Sequence, residues 1–246
     1  MKNQEVDKAD LTSVKAIGFD YFGTLVEAEA EVTDCLISMC SHLHGLGYSF
    51  PDEAFLKTYR NIVRRKRTTR YEEFKEVNNS VWVSDTLNSM GFDTDSGQPE
   101  ILSTVEKYFA EWRLTLYPDV IPVIEKLREN FKIGLVSNFT DSNFLNRTLK
   151  KFDIQEFFDS VTISDKSGWR KPHPKIFQEF LKSLDAEAGE TVFIGDDPVS
   201  DVKGAYDMGM TTVLLERADK DSRDNQKVAP DYAVNSLTEL RKILSV

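Results

Sequence analysis

The sequence predicts an α/β fold: a parallel sheet with helices on both faces, and a block of helices set into it after the first strand. Three observations carry this. Short β-rich runs alternate with segments of helical spacing along most of the chain. The runs Val14–Asp20, Phe131–Ser137 and Thr191–Asp196 each close on a polar side chain. Residues Glu27 to Leu116 interrupt the alternation with helical patterns and no convincing strand.

Val14-Lys-Ala-Ile-Gly-Phe-Asp20 reads as a buried strand ending on a carboxylate, and Phe131-Lys-Ile-Gly-Leu-Val-Ser137 as a second. Thr191-Val-Phe-Ile-Gly-Asp196 and Thr211–Leu215 follow, with Ser160–Ile163 and Tyr232–Val234 as weaker strands. Helical spacing covers Val120–Asn130, Ser142–Phe152, Pro174–Leu184, Val199–Met208 and Leu237–Leu244 between them. Strands alternating with helices give a parallel sheet. In the interrupting block the helical patterns are Val32–Leu46, Pro51–Arg67, Tyr71–Met90 and Pro99–Leu114. Gly45, Gly47 and Pro51, then Gly91, Asp93, Asp95 and Gly97, mark turns between them. Met1–Ser13 reads as a polar tail without the apolar stretch of a signal peptide, and Arg217–Pro230 as a charged surface loop.

The 246 residues are 40% hydrophobic and 29% charged, ordinary for a water-soluble globular protein. No apolar run approaches the roughly 20 residues of a membrane helix. A net charge of −10 argues against nucleic-acid or anionic-membrane partners. Cys35 and Cys40 match no zinc or redox spacing, so they are expected to be packing residues in a reducing cytoplasm. Against the acidic background, Arg60, Arg64, Arg65, Lys66, Arg67 and Arg70 form a local basic run. It is either a solvated helix face or the place where guanidinium forks meet an anionic substrate.

Open parallel sheets bind ligands beyond the carboxyl ends of their strands. Asp20, Ser137-Asn138 and Asp196-Asp197 fall at that edge, with Asp201 soon after and Lys171 before a helix. Taken singly, Asp20 and the Asp196-Asp197-Pro198 run are equally well turn or cap residues. Together they make a coherent site. A carboxylate attacks an electrophile, other carboxylates hold a divalent cation, and a hydroxyl and an ammonium hold the transferring group.

Asp20-Tyr-Phe-Gly-Thr-Leu25 resembles the first motif of the haloacid dehalogenase-like superfamily, Asp-x-x-Gly-Thr-Leu at a strand end. Ser137-Asn138 is similar to its second motif, Lys171 before Pro172 to its third, and Gly195-Asp-Asp-Pro-Val-Ser-Asp201 to its fourth. The resemblance implies a Rossmann-like catalytic core from 1–26 and 116–246 and a helical cap over 27–115. It implies that Asp20 is the nucleophile, Thr24 holds its loop, Ser137 and Asn138 bind the substrate, and Lys171 stabilises charge. It implies a Mg²⁺ site of Asp20, Asp196, Asp201 and the backbone carbonyl of Phe22, with Asp197 either a further ligand or a helix-start residue. A small anionic substrate follows; oligomeric state does not.

Phe22 departs from the phosphatase pattern, which has a second aspartate there to protonate the leaving alcohol. Dehalogenases of the superfamily also lack that aspartate, because halide leaves unprotonated, but they need no metal and their fourth motif is less acidic. Three readings stay open: a Mg²⁺-dependent phosphatase, a 2-haloacid dehalogenase or phosphonate-type hydrolase using a cap lysine (Lys57, Lys66 or Lys75), and a non-catalytic binding protein. His42, His44 and Tyr71 are the candidate surrogate proton donors.

Overall fold

The computed structural model describes residues 11–217 and 229–244. Most of the tail and most of the loop expected at Arg217–Pro230 lie outside them. Its strands are β1 (Ala16–Phe19), β2 (Val26–Glu29), β3 (Arg113–Leu116), β4 (Lys132–Ser137), β5 (Ser160–Ile163), β6 (Thr191–Gly195), β7 (Thr211–Leu215) and β8 (Tyr232–Val234). Six of them form one parallel sheet in the order β5-β4-β1-β6-β7-β8, so β1 lies between β4 and β6. The carboxyl ends of these three central strands therefore come together at one edge.

Alternate residues of the central strands feed two apolar cores. Ile17, Phe19, Ile133, Leu135, Val192 and Ile194 face one way. Ala16, Val136 and Phe193 face the other. The second face is covered by α9 (Pro174–Leu184), whose Phe180 sits over Gly18 and Gly134, neighbours in register. A Cβ at Gly18 or Gly134 would stand 2.7 or 2.4 Å from that ring, so neither position tolerates a side chain without repacking. The first face takes α6 (Val120–Leu127) and α7 (Ser142–Lys151).

The block after β2 consists of α1 (Val32–Gly45), α2 (Asp52–Arg65), α3 (Arg67–Tyr71), α4 (Asn79–Ser89) and α5 (Pro99–Ala110). Helix α1 lies against α5 and α2 against α4. Their buried residues, Leu36, Phe55, Trp82, Val105 and Phe109 among them, join the same cluster as the first face of the sheet. Cys35 and Cys40 are unbridged and buried in α1, as packing residues are. Short helices α8 (Ser164–Ser167), α10 (Gly204–Asp207) and α11 (Leu240–Ile243) complete the chain, and no described helix is long and apolar enough to cross a membrane.

Three expectations need correction. Strands β2 and β3 form an antiparallel ribbon, Val26 opposite Leu116 through Glu29 opposite Arg113, where no strand was expected. It holds the chain entering the helical block beside the chain leaving it; at four residues apiece, the strands are too short to establish a period. The helix expected over Tyr71–Met90 is broken at residues 72–78, where Phe74 adopts φ 54° and Lys75 bridges Trp169 of the sheet domain. Glu76 is drawn inward there by two arginines, and Asn78 caps the new helix by accepting from Val81 N. Finally, Val199–Met208 is a six-residue π-helix, Pro198–Lys203, running into α10, because Val202 N reaches back to Asp197 O.

Candidate active site

Asp20 follows β1 directly, with its backbone N–H still bonded to Ile194 O of β6. The turn after it needs φ 91° at Gly23, where a side chain would be strained. That turn brings buried Thr24 back, so that its Oγ1 donates to Asp20 Oδ2 at 3.2 Å. Arg217 donates to the Thr24 carbonyl at 2.7 Å while lying over the Tyr117 ring and pairing with Asp119.

Lys171 is 3% exposed and reaches Asp20 Oδ1 at 2.6 Å and Val136 O at 2.8 Å. Its ammonium also lies 2.7 Å from Asp201 Oδ1, so the two carboxylates share one cation. Oxygens of Asp20, Asp196 and Asp201 lie within 4.8 Å of one another. Gly195 makes this approach feasible: a Cβ there would fall 2.3 Å from Asp201 Oδ2.

Three carboxylates around one ammonium leave the cluster short of positive charge. Burial raises the pKa of Asp20, with Lys171 opposing and Asp196 adding to the shift. Burial likewise pushes Asp201 up to about 8, again against Lys171 and with help from Asp20 and Asp196. Lys171 is held at about 12 although burial opposes its charge, because Asp20 and Asp201 flank it. An oxygen-only site with more carboxylates than cations fits a hard divalent cation.

Ser137 ends β4, buried, with a hydroxyl that makes no hydrogen bond to the described residues. Asn138, expected beside it as a substrate ligand, is committed elsewhere: it donates to Lys171 O at 2.9 Å and accepts from Lys171 N at 2.7 Å. It clamps the lysine loop. Asp197 caps the π-helix, accepting from Val199 N and Ser200 N at 2.9 and 2.8 Å, and stands outside the carboxylate trio. Phe22 packs among Tyr21, Phe139 and Trp112, with ring centroids 4.8, 4.8 and 5.9 Å away. Of the surrogate donors, His42 meets Ser103 and His44 meets Asp52, both within the helical block, whereas Tyr71 lies under Arg170, next to Lys171.

Residues that sequence reasoning missed lie around this site. Glu76 joins Arg70, Arg170 and Ser164, and Glu76 N–H donates to Gly168 O at 2.9 Å. Arg170 stood within the lysine motif; nothing in the sequence singled out Glu76 or Arg217.

The family model for haloacid dehalogenase-like hydrolases matches residues 14–209. The chain belongs to that family. It is 36% identical over 132 residues to glyceraldehyde 3-phosphate phosphatase of Methanopyrus kandleri, which covers 52% of this chain and 56% of that one. The chain spans about half the length of the first curated relatives it matches. Glyceraldehyde 3-phosphate phosphatase of Methanocaldococcus jannaschii is 27% identical over 238 residues, 94% of this chain and 97% of the relative. Among solved structures, an HAD phosphatase from Thermococcus onnurineus is 29% identical with a TM-score of 0.60, covering 94% of this chain and 98% of that one.

Proposed function

We propose that this protein is a Mg²⁺-dependent phosphatase acting on a small phosphorylated metabolite, with Asp20 as nucleophile. The observation that carries the reading is the buried Asp20 held by Lys171 within reach of Asp196 and Asp201. The phosphatase names of the relatives that match the chain along their whole length support it. In this reading residues 27–115 are a cap over a core of 1–26 and 116–246, and the continuous apolar cluster between the two seats the lid.

Asp20 would hold its ionised oxygen in line with phosphorus, form an acyl phosphate and expel the leaving oxygen as its anion, which takes a proton from solvent; water then attacks the acyl phosphate, releasing inorganic phosphate and returning the carboxylate. Lys171 and the free Ser137 hydroxyl hold the phosphoryl oxygens where charge accumulates. Asn138 keeps the lysine loop in register. Asp20, Asp196, Asp201 and the Phe22 carbonyl would hold Mg²⁺, which when bound offsets the repulsion between carboxylate and phosphate.

Phe22 gives the leaving oxygen no proton. That favours substrates with good leaving groups, and it is the one observation that favours a second reading, 2-haloacid dehalogenation. A panel of alkyl, aryl and acyl phosphates and 2-haloacids, assayed with Mg²⁺ and with chelator, separates them. Phosphate release that chelator abolishes is expected; chelator-resistant halide release with no phosphate release replaces the phosphatase by the dehalogenase.

A further inference from the structure

The helical block holds a cavity of about 600 Å³, open to solvent, between α1, α2, α3, α4 and α5. Arg60, Arg64, Arg67 and Arg70 line it together with Tyr71 and Trp82, and no carboxylate does. Arg60 and Arg64 stand one turn apart on α2 and Arg67 opens α3, and all three line the cavity. Arg70 is held by Glu76 at 3.1 Å and lies 4.8 Å over the Trp82 ring. Arg60, Arg64 and Arg67 enter no ion pair among the described residues; Arg64 donates only to the neutral Asn61, and Arg67 lies over Tyr71. Like charges at this spacing weaken a helix. All three are exposed and have no acidic partner among the described residues, which leaves their guanidinium forks open to an anion from outside.

Two walls of the cavity run to the reactive loops. Tyr71 lies under Arg67, Arg70 and Arg170, and Arg170 immediately precedes Lys171. Tyr108, another lining residue, packs on Trp112 at 6.4 Å, and Trp112 on Phe22 at 5.9 Å. The cavity thus sits within two ring contacts of the loops that carry Asp20 and Lys171.

We infer that this cavity receives the far end of the substrate, and that this end bears a second oxyanion, a carboxylate or a phosphate, bound by Arg60, Arg64 and Arg67. The inference rests on the phosphatase reading and narrows its substrate class to phosphate esters with anionic groups at both ends. Guanidinium forks match either oxyanion by paired hydrogen bonds. The aromatic and aliphatic walls take the carbon skeleton between.

The test is a reach series. Monophosphates of ω-hydroxy acids with two to six carbons are compared with monophosphates and bisphosphates of the matching diols. At one chain length the acid or the bisphosphate should exceed the diol monophosphate by about tenfold or more in kcat/KM. The better of the two identifies the oxyanion. In Arg60→Gln and Arg64→Gln, with unchanged melting temperatures, that ratio should fall toward one through KM, with kcat moving less than about threefold. No preference at any length, or a preference that survives the Arg60→Gln/Arg64→Gln/Arg67→Gln protein, overturns the inference. If this series is not hydrolysed, aryl and acyl phosphates decide the phosphatase reading, which fails if they resist as well. Calorimetric binding of the same acids to the Asp20→Asn protein then decides the cavity: arginine-dependent binding retains it, and its absence removes it.

Discussion

Adjacent residues, Arg170 and Lys171, serve two buried ionic clusters of opposite balance. Lys171 pairs with Asp20 and Asp201, whose oxygens lie within 4.8 Å of those of Asp196. Arg170 shares one carboxylate, Glu76, with Arg70. The first cluster lacks cationic charge, because two of its carboxylates share one ammonium and a third lies beside them. In the second, Glu76 is fully engaged: Oε1 accepts from Arg70 and Val77 N, and Oε2 from Arg170 and Ser164. Burial of charge is costly unless it is compensated within the fold or by a ligand. The satisfied cluster is therefore read as architecture, joining the helical block to the sheet, and the unsatisfied one as chemistry waiting for a cation and a substrate.

That contrast is broken most directly at Asp20. Asp20→Asn keeps the shape, with its amide oxygen toward Lys171 and its N–H donating to the Thr24 hydroxyl, while removing the attacking anion, so turnover should fall by roughly 10³-fold or more with little change in melting temperature. Comparable rates from the two proteins would move the chemistry off the sheet edge.

The cation comes next. Asp196→Ala should weaken the Mg²⁺ dependence of the rate far more than Asp197→Ala, whose carboxylate caps the π-helix. Equal effects would show that the capping aspartate also binds metal. A pH experiment sharpens the point. Asp201, ordinarily near 3.8, is raised to about 8, so the folded state favours its protonated form. The contribution it makes to stability is present below the ordinary value and lost as pH rises through about 8. Metal-free protein should therefore lose stability between about pH 4 and 8. The rise in melting temperature on adding Mg²⁺ should grow over the same interval; a gain independent of pH would mean that the cation binds elsewhere.

The two clusters also differ in how far the sequence discloses them. Asp20, Lys171, Asp196 and Asp201 are legible because each ends a strand or opens a helix at a fixed place in a parallel sheet, and the sheet order brings those places together. The helical block is legible as helices, through its apolar spacing. Its joints are not: β2 and β3 are four residues each, and the break at 72–78 depends on Glu76 meeting Arg170 across 94 positions of sequence. No local pattern encodes such a pairing. Asn138 shows the same limit within the motif, since only coordinates reveal that its amide is spent on the Lys171 backbone.

Glu76→Gln tests the satisfied cluster. It leaves two buried guanidiniums without their counter-ion, and should cost about 3 kcal/mol or more in urea denaturation. Asp85→Asn removes an exposed partner of Lys66 and should cost no more than about 1 kcal/mol. Similar small losses from both would show that the arginines find compensation in water, and the contrast between the clusters would collapse.

Phe22 carries the smallest expected effect and bears on both halves of the molecule, because it stands in the nucleophile loop yet packs on Trp112 at the exit from the helical block. An alkoxide leaves poorly without a proton, whereas a phenolate leaves unaided; general acid catalysis contributes about 10²–10⁴-fold where it operates. The wild type should therefore favour aryl and acyl phosphates over alkyl phosphates. Phe22→Asp supplies a carboxyl at the position where the family's phosphatases carry one, and should raise alkyl-phosphate turnover by up to about tenfold, short of the full range because nothing else in the loop is tuned to it. The same change takes a ring out of the contacts with Tyr21 and Phe139, so thermal stability should fall as alkyl turnover rises. Opposite movements of rate and stability in one variant distinguish a gained proton donor from a loosened loop, which would lower both. If wild type hydrolyses alkyl and aryl esters equally well, another group donates the proton. Tyr71 is then the first to replace, since it alone of the three candidates touches the residue beside Lys171.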